Sequence, residues 1–149
     1  MNAYDLLKED HKKVAAIFEK LEPTTERALK TREELFNKLN SELEVHAAVE
    51  EQILYPVLKE AAETREITFE AFEEHRVVKE LLKELSTTPK DTEEWTAKLT
   101  VLKENVEHHV EEEEEEMFKK ARKVLTDKEA DELGARMQAA KTKLAASAH

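Results

Sequence analysis

Hydrophobic residues recur every three or four positions along most of the chain, which is the period of an amphipathic α-helix. The first such stripe predicts a helix from about Ala3 to Leu21, ended by Pro23. A second, longer helix carries its stripe over residues 29–57, and Pro56 is expected to kink or shorten its end. No segment alternates with a period of two over a convincing length, so the pattern favours an all-α protein.

The same pattern continues through the second half of the chain. Residues 63–68 are interpreted as a loop, followed by a third helix over about residues 69–85 and a connection over residues 86–90. A fourth helix has its stripe over residues 95–117. Thr126 and Glu129 form a capping box that opens a final helix to about Leu144. The apolar stripe of this final helix is sparse, so we expect it to pack on the outside or to fray in part.

Four amphipathic helices with short connections predict an antiparallel, up-down four-helix bundle with an additional C-terminal helix. We therefore divide the chain into a bundle domain over residues 1–124 and an appended helix and tail over residues 125–149. The pattern leaves the oligomeric state open and is compatible with a monomer.

Composition narrows the range of partners. The 149 residues include 24 Lys and Arg against 35 Asp and Glu, which gives a formal net charge of -11. This charge repels phosphate backbones and anionic lipids, so we expect no nucleic acid and no membrane as a partner, whereas cations are favoured. No apolar run approaches 18 residues, and the N-terminal residues lack the pattern of an export signal, so we expect a soluble, cytoplasmic protein.

Two scarce residue types exclude whole classes of site. The chain has no Cys, which excludes disulfides, iron–sulfur clusters, thiolate zinc sites and cysteine nucleophiles. It has one Gly, which excludes a glycine-rich phosphate-binding loop.

Polar residues interrupt the apolar stripes at regular positions. Each of the four predicted bundle helices carries one His on its stripe, and two of them add a Glu one turn later on the same face. The six residues are His11, His46, Glu50, His75, His109 and Glu113. Burying six such side chains without partners would be very unfavourable. A metal centre satisfies all of them at once.

An internal repeat strengthens this interpretation. His46, Glu50 and Tyr55 are matched by His109, Glu113 and Phe118 at offsets of zero, four and nine, and the surroundings of His11 are similarly matched around His75. The chain therefore reads as two related helix hairpins. Facing hairpins would supply two His to each of two metal ions and two Glu to bridge them. The repeat also favours His109 over the adjacent His108, which lies on a flank of the stripe.

The donor set alone does not choose the metal. Imidazole and carboxylate without thiolate suit Fe, Mn, Zn, Ni or Cu. Two bridging carboxylates inside a helical bundle favour a dinuclear iron or manganese centre. The ferritin-like design, which places a Glu three residues before each His, is excluded because none of the corresponding positions here is Glu.

Taken in order, the motifs resemble those of the hemerythrin-like, or HHE cation-binding, domain. They are Leu6-Leu7-Lys8-Glu9-Asp10-His11, His46-x-x-x-Glu50-Glu51 leading to Leu54-Tyr55-Pro56, Glu74-His75, and His108-His109-Val110 leading through Glu113 to Met117-Phe118. The resemblance covers about residues 3–124. It implies two iron ions with an oxo or hydroxo bridge, for which Mn or Zn would be substitutes. By matching position, it implies His11, His46, His75 and His109 as iron ligands and Glu50 and Glu113 as bridging carboxylates.

The chain departs from the oxygen-carrying members of that family. Those proteins place a fifth His one turn from the third-helix His, whereas Ala71 and Lys79 flank His75 here at that spacing. They also use Asp five residues after the last His, whereas Glu113 follows His109 by four. Both irons would then keep an open position, or a neighbouring Glu would fill one. Open positions favour reactivity over reversible oxygen carriage.

Two functions of different classes follow. The first is a di-iron protein that binds or reacts with oxygen, peroxide or nitric oxide, with a peroxide-decomposing activity left open and Tyr4 and Tyr55 as candidate hydrogen-bond donors near the site. The alternative is an iron-sensing or iron-reservoir module without turnover, in which the final helix would report metal occupancy. A bundle with satisfied core histidines and no metal is the third interpretation.

Overall fold

The structure is a computed structural model that describes residues 1–147, and the regular secondary structure of these residues is helical with no strand. The helices, in chain order, are α1 (Ala3–Leu21), α2 (Leu29–Val49), the π-helical segment π1 (Glu50–Leu54), α3 (Tyr55–Glu60), α4 (Ala62–Thr87), α5 (Glu93–Glu112), the π-helical segment π2 (Glu113–Met117), α6 (Phe118–Val124) and α7 (Asp127–Ser147). Because α2, π1 and α3 run on without a break, as do α5, π2 and α6, the chain forms five helical rods. None of the described helices has both the length and the apolar character needed to span a membrane.

The helix boundaries agree with the sequence pattern in most places. The capping box is confirmed, because the Thr126 backbone N–H donates to Glu129 Oε1 at 2.9 Å and the Glu129 N–H donates to Thr126 Oγ1 at 3.1 Å. The loop predicted over residues 63–68 is wrong, since α4 begins at Ala62. Thr64 and Thr68 are buried inside this helix, and the Thr68 hydroxyl donates to the Thr64 carbonyl at 2.6 Å, so these polar residues need no contact with water.

Pro56 does not stop the second rod. It is the second residue of α3, directly after π1, and the chain remains helical to Glu60. Because this rod is continuous, the N–H that proline lacks would otherwise bond to the preceding helical turn, so Pro56 removes one backbone hydrogen bond without ending the helix.

Two apolar clusters lie on either side of the polar residues. One contains Leu7, Val49, Ala71 and Met117, and the other contains Val14, Leu43, Leu82 and Val106, among other residues. The chain passes from the first cluster to the second in α1 and α4, and from the second to the first along the rods that begin with α2 and α5. Successive rods therefore run in opposite directions between the two clusters, as expected of antiparallel neighbouring helices.

The final helix is part of the same packing. α7 contacts α1 and α2, it buries Ala130, Leu133 and Met137 in the cluster that contains Leu7, and its Gly134 is also buried. A Cβ atom on Gly134 would lie 2.3 Å from the Met1 carbonyl oxygen, so this close approach requires glycine. α7 is a continuous helix through Ser147, beyond the predicted end near Leu144. The domain boundary after residue 124 stays a prediction, and residues 148 and 149 of the proposed tail lie outside the described residues.

A buried arginine connects the chain segments at the end of the molecule next to the cluster that contains Val14. The Arg32 guanidinium donates to the Thr24 hydroxyl and carbonyl at 3.0 and 2.9 Å, to the Lys90 carbonyl at 2.6 Å and to the Thr96 hydroxyl at 3.1 Å. It also lies 4.9 Å from the centre of the Trp95 ring. Arg32 therefore joins the α1–α2 and α4–α5 connections, a role that the sequence analysis did not assign.

Candidate metal centre

The six polar stripe residues meet in one layer between the two apolar clusters. Each is buried, with between 0% and 8% of its surface exposed: His11, His46, Glu50, His75, His109 and Glu113. The structure thus brings together all of the residues that the stripes and the repeat singled out. His108, set aside on its flank, is exposed.

The six residues divide into two triads whose ligand atoms lie within 4.8 Å of one another. The first triad is His11, His46 and Glu113, and the second is Glu50, His75 and His109. Each triad therefore takes two imidazoles from one hairpin and a carboxylate from the other, so both hairpins contribute to both triads.

Each carboxylate lies between the two triads. Glu50 Oε1 is 2.9 Å from His46 Nε2 and 3.2 Å from His75 Nε2. Glu113 Oε1 is 3.0 Å from His11 Nε2, and its Oε2 is 3.5 Å from His109 Nε2. Both glutamates thus contact an imidazole of each hairpin.

The two π-helical segments start at these glutamates. π1 begins at Glu50 and π2 at Glu113, 63 positions apart, and the two segments have the same length of five residues. The internal repeat of the sequence is therefore also a repeat of backbone conformation. Single π-helical turns within α-helices occur frequently at functional sites.

The π turn explains how Tyr55 reaches the layer. At about 100° per residue, a residue nine positions after His46 would lie about 180° away on a regular α-helix. The wider π turn reduces this rotation to about 90°, which brings Tyr55 to the side of the site. Its hydroxyl donates to Glu113 Oε2 at 2.7 Å and lies 3.3 Å from His75 Nε2.

The second candidate tyrosine behaves differently. The Tyr4 hydroxyl is buried and has no hydrogen-bond partner within residues 1–147. Its ring packs 5.1 Å from that of Phe118, and the Arg122 guanidinium lies 4.3 Å from its centre. Of the two tyrosines, therefore, Tyr55 is the one hydrogen-bonded to the polar layer.

Four further carboxylates surround the layer, and each lies beside the Nδ1 atom of one imidazole. The pairs are Asp10 with His46 at 3.0 Å, Glu51 with His75 at 2.9 Å, Glu74 with His109 at 2.6 Å, and Glu114 with His11 at 2.6 Å. A carboxylate at Nδ1 holds the proton on that nitrogen and leaves Nε2 as the lone-pair donor. All four Nε2 atoms face the two central glutamates.

The sequence analysis did not assign these four acids. Their signal in the sequence is the acid immediately before the first His of each hairpin, in Asp10-His11 and Glu74-His75, and the acid immediately after each central glutamate, in Glu50-Glu51 and Glu113-Glu114. Asp10 and Glu74, which each precede a His, contact the other His of their own hairpin. Glu51 and Glu114, which each follow a central glutamate, contact a His of the opposite hairpin.

Several buried polar atoms of the layer lie close together without forming hydrogen bonds. Within residues 1–147, five buried atoms of the six residues form no hydrogen bond: Nε2 of His11, Nε2 of His46, both carboxylate oxygens of Glu50, and Oε1 of Glu113. Unsatisfied groups of this kind are rare in protein interiors. Bonds of about 2.1 Å at right angles would separate neighbouring ligand atoms by about 3.0 Å, close to the observed spacings. The donor set therefore fits bound metal.

Electrostatics lead to the same conclusion. Burial lowers the pKa of His109, but the carboxylates of Glu113 and Glu74 outweigh burial and raise that pKa to about 10. Burial likewise opposes the charged form of His46, yet Glu50 and Asp10 raise its pKa well above the ordinary value. Burial raises the pKa of Glu113, but the neighbouring Glu50 carboxyl and the His109 and His11 imidazoles hold that pKa well below its usual range. The carboxylates thus create a strong demand for positive charge, which metal ions would meet.

A narrow apolar cavity reaches the layer. Its volume is about 40 Å³, and it touches all four buried imidazoles. Its remaining lining is mostly aliphatic and includes Val14, Leu43, Val78, Leu82 and Val106.

Comparison with known proteins agrees with this geometry. A family model described as the hemerythrin HHE cation binding domain matches residues 2–121. The crystal structure of a hemerythrin HHE cation binding domain-containing protein from Mycobacterium kansasii superposes with a TM-score of 0.88 and is 31% identical, covering 99% of this chain and 90% of that one.

Two curated relatives are also similar. An uncharacterized protein of Mycobacterium tuberculosis is 34% identical over 144 residues, which cover 93% of this chain and 84% of the relative. A protein of Nostoc named DNA nickase is 27% identical over 97% of this chain, which spans only 40% of the length of that relative. Because the family model matches most of the chain and the site geometry agrees with it, this chain belongs to the hemerythrin HHE cation-binding domain family.

Proposed function

We propose that this chain is a non-haem di-iron protein whose centre binds or reacts with oxygen, peroxide or nitric oxide. In this proposal His11 and His46 would hold one iron, His75 and His109 would hold the other, and Glu50 and Glu113 would bridge the two. The scaffold would be an antiparallel, up-down four-helix bundle with α7 appended to it. The observation that carries the proposal is the position of each glutamate between the two triads, together with the unpaired Nε2 and carboxylate atoms that surround them.

Two ions account for the donor set better than one. Each triad is compact, and each contains a carboxylate whose neighbours include an imidazole of the other triad. The ligands are neutral imidazoles and carboxylates without thiolate, which suits iron and also allows manganese or zinc as substitutes. An oxo- or hydroxo-bridged iron pair would supply redox and Lewis-acid chemistry when bound.

The surroundings restrict what reaches the layer. Apart from the four imidazoles, Glu44 and Lys79, the cavity of about 40 Å³ is lined by aliphatic side chains, which favours small uncharged molecules over larger organic substrates. Dioxygen, hydrogen peroxide and nitric oxide meet both conditions of size and charge.

Tyr55 supplies a fixed proton beside the layer. Burial raises the pKa of its phenol well above the ordinary value, and the nearby carboxylates of Glu113 and Glu50 add to this effect. In the metal-free chain the hydroxyl therefore stays protonated at neutral pH and donates to Glu113 Oε2. A buried donor in this place orients the Glu113 carboxylate from the side of the first apolar cluster, whereas the cavity is lined by residues of the second.

The decisive experiment combines metal analysis with turnover. Untagged protein produced with added iron should contain about two irons per chain, and peroxide should perturb its absorption spectrum and be consumed. His46→Ala should lose iron and turnover, because it removes a buried donor. His108→Ala should retain both and is the matched control, because His108 also has a Glu four residues later but is exposed.

The other outcomes are equally informative. Iron that binds but leaves oxygen, peroxide and nitric oxide unchanged would favour the iron-sensing or iron-reservoir alternative. Wild-type protein without stoichiometric metal would overturn the proposal.

A further inference from the structure

The four carboxylates around the layer differ in their access to water. The side chain of Asp10 is 3% exposed, whereas those of Glu51, Glu74 and Glu114 are 23%, 25% and 32% exposed. Asp10 is therefore the one member of this set that water cannot solvate, and its charge must be met by protein groups.

Two side chains compensate the charge of the Asp10 carboxylate, one at each of its oxygens. Oδ2 of Asp10 lies 3.0 Å from Nδ1 of His46, and Oδ1 accepts a hydrogen bond from the Lys141 ammonium. Lys141 belongs to α7, the helix added to the four rods that carry the layer. A chain of three side chains thus joins α7 to a buried imidazole of the first triad.

α7 holds this lysine in a defined place. Met137, one turn before Lys141, is fully buried, and Gly134 lies against the backbone at Met1. The Lys141 side chain is 19% exposed, so its stem is largely covered and its ammonium is directed at Asp10.

We propose that Lys141 is a positioning residue for His46 and thereby couples α7 to one half of the metal centre. The inference rests on the proposed function, since it concerns how a metal-binding imidazole is oriented. With Oδ1 held by the ammonium, the Asp10 carboxylate cannot rotate, and Oδ2 stays directed at the Nδ1 proton. His46 Nε2 then faces His11 and Glu113 as a lone-pair donor.

The other hairpin provides an internal comparison. Lys79 lies 3.1 and 3.0 Å from the two oxygens of Glu51, whose Oε2 lies 2.9 Å from Nδ1 of His75. This Lys–Glu–His series has the same chemistry, but the Lys79 side chain is 54% exposed and that of Glu51 is 23% exposed. Water can replace the Lys79 ammonium there, whereas it cannot reach Asp10.

This difference predicts unequal effects of the same substitution. Loss of a group that orients a metal ligand lowers metal affinity by about 10- to 100-fold. Lys141→Met should therefore weaken one of two metal sites by about that factor, because Met keeps the apolar stem and removes only the charge. Lys79→Met should change the affinity of either site by less than about fivefold.

The test titrates the metal-free chain of 149 residues with cobalt(II). Visible absorption and competition with a chelator measure the binding. Wild type should bind two equivalents. Lys141→Met should bind one equivalent as wild type does and the other more weakly, and Lys141→Arg should recover much of the loss because it restores a cation. Circular dichroism of each metal-free variant checks that its fold is retained.

A second measurement needs no substitution. Because coupling is reciprocal, cobalt binding to wild type should slow hydrogen exchange of the α7 amides around Lys141. This result keeps the proposal testable even if Lys141→Met fails to fold.

The outcomes separate the two proposals. Wild type that binds no cobalt would refute the metal centre itself. Three results would refute the coupling and leave the centre intact. They are two cobalt sites of wild-type affinity in Lys141→Met, equal losses of cobalt affinity in Lys141→Met and Lys79→Met, or hydrogen exchange of the α7 amides that cobalt does not change.

Discussion

The two tyrosines of this chain offer a matched pair for testing the polar layer. Both rings are buried, but the Tyr55 hydroxyl donates to Glu113 Oε2 at 2.7 Å, whereas the Tyr4 hydroxyl has no partner within the described part of the chain. The substitutions Tyr55→Phe and Tyr4→Phe remove the same oxygen atom from these two surroundings.

The expected magnitudes follow from the partners. A hydrogen bond to a charged group contributes about 1.5–3 kcal/mol, so Tyr55→Phe should destabilise the metal-free protein by about that amount. For a chain of this size, the loss corresponds to a fall of about 3–12 °C in Tm. Tyr4→Phe removes a buried hydroxyl that has no hydrogen bond, so it should leave stability unchanged or raise it by up to about 1 kcal/mol.

Urea denaturation of the metal-free protein at neutral pH, in the presence of a chelator, measures both effects under one condition. Unchanged m-values would show that the substitutions change the unfolding free energy without changing the surface exposed on unfolding. If Tyr4→Phe were as destabilising as Tyr55→Phe, or if Tyr55→Phe changed the unfolding free energy by less than about 0.5 kcal/mol, the hydrogen bond to Glu113 would not have the role assigned to it.

Three further predictions concern other parts of the molecule. Arg32→Met should lower the unfolding free energy by at least about 2 kcal/mol in urea denaturation, because it leaves buried acceptors unpaired, while metal content stays at the wild-type level. Gly134→Ala should destabilise the protein by about 1–3 kcal/mol in the same assay, because the alanine Cβ would overlap the Met1 carbonyl. Helix propensity alone predicts a gain in stability of about 1 kcal/mol, and such a gain would contradict this prediction. In the metal-free protein, the raised pKa of His109 gives a stabilising contribution that is complete below its ordinary value of 6.5 and lost as the pH rises through about 10. Denaturation across that interval should show falling stability, and a flat profile would contradict the pairing; apparent metal affinity should instead rise with pH, because metal displaces the proton.

The helical period was enough to select the six central residues. Their spacing places each on the apolar stripe of its helix. The repeat distinguishes His109 from His108, and in the structure His109 is buried whereas His108 is exposed. The period failed at residues 63–68, where Thr64 and Thr68 read as polar loop residues but are buried within α4. Their hydroxyls bond to backbone carbonyls, and hydrophobic periodicity does not register that arrangement.

The four surrounding carboxylates could not be selected in this way. Glu51 and Glu114 occur among many acidic residues on helix flanks, and one position in sequence decides whether such a side chain meets a buried imidazole or water. Tyr55 was placed only as a candidate, because the π turn before it changes the rotation on which a helical period depends.

The sequence by itself determined that the chain is helical, which face of each helix is apolar, and that six imidazole and carboxylate side chains interrupt those faces. These are local properties, since the period of a helix fixes the direction of each side chain relative to its neighbours in the chain. Only the tertiary structure decided that each triad joins two His of one hairpin to the Glu of the other, that every Nδ1 has its own carboxylate, and that α7 places Lys141 on Asp10. Those pairings depend on how separate helices pack and on where a π turn shifts their register, and neither is encoded in the spacing of residues along one helix.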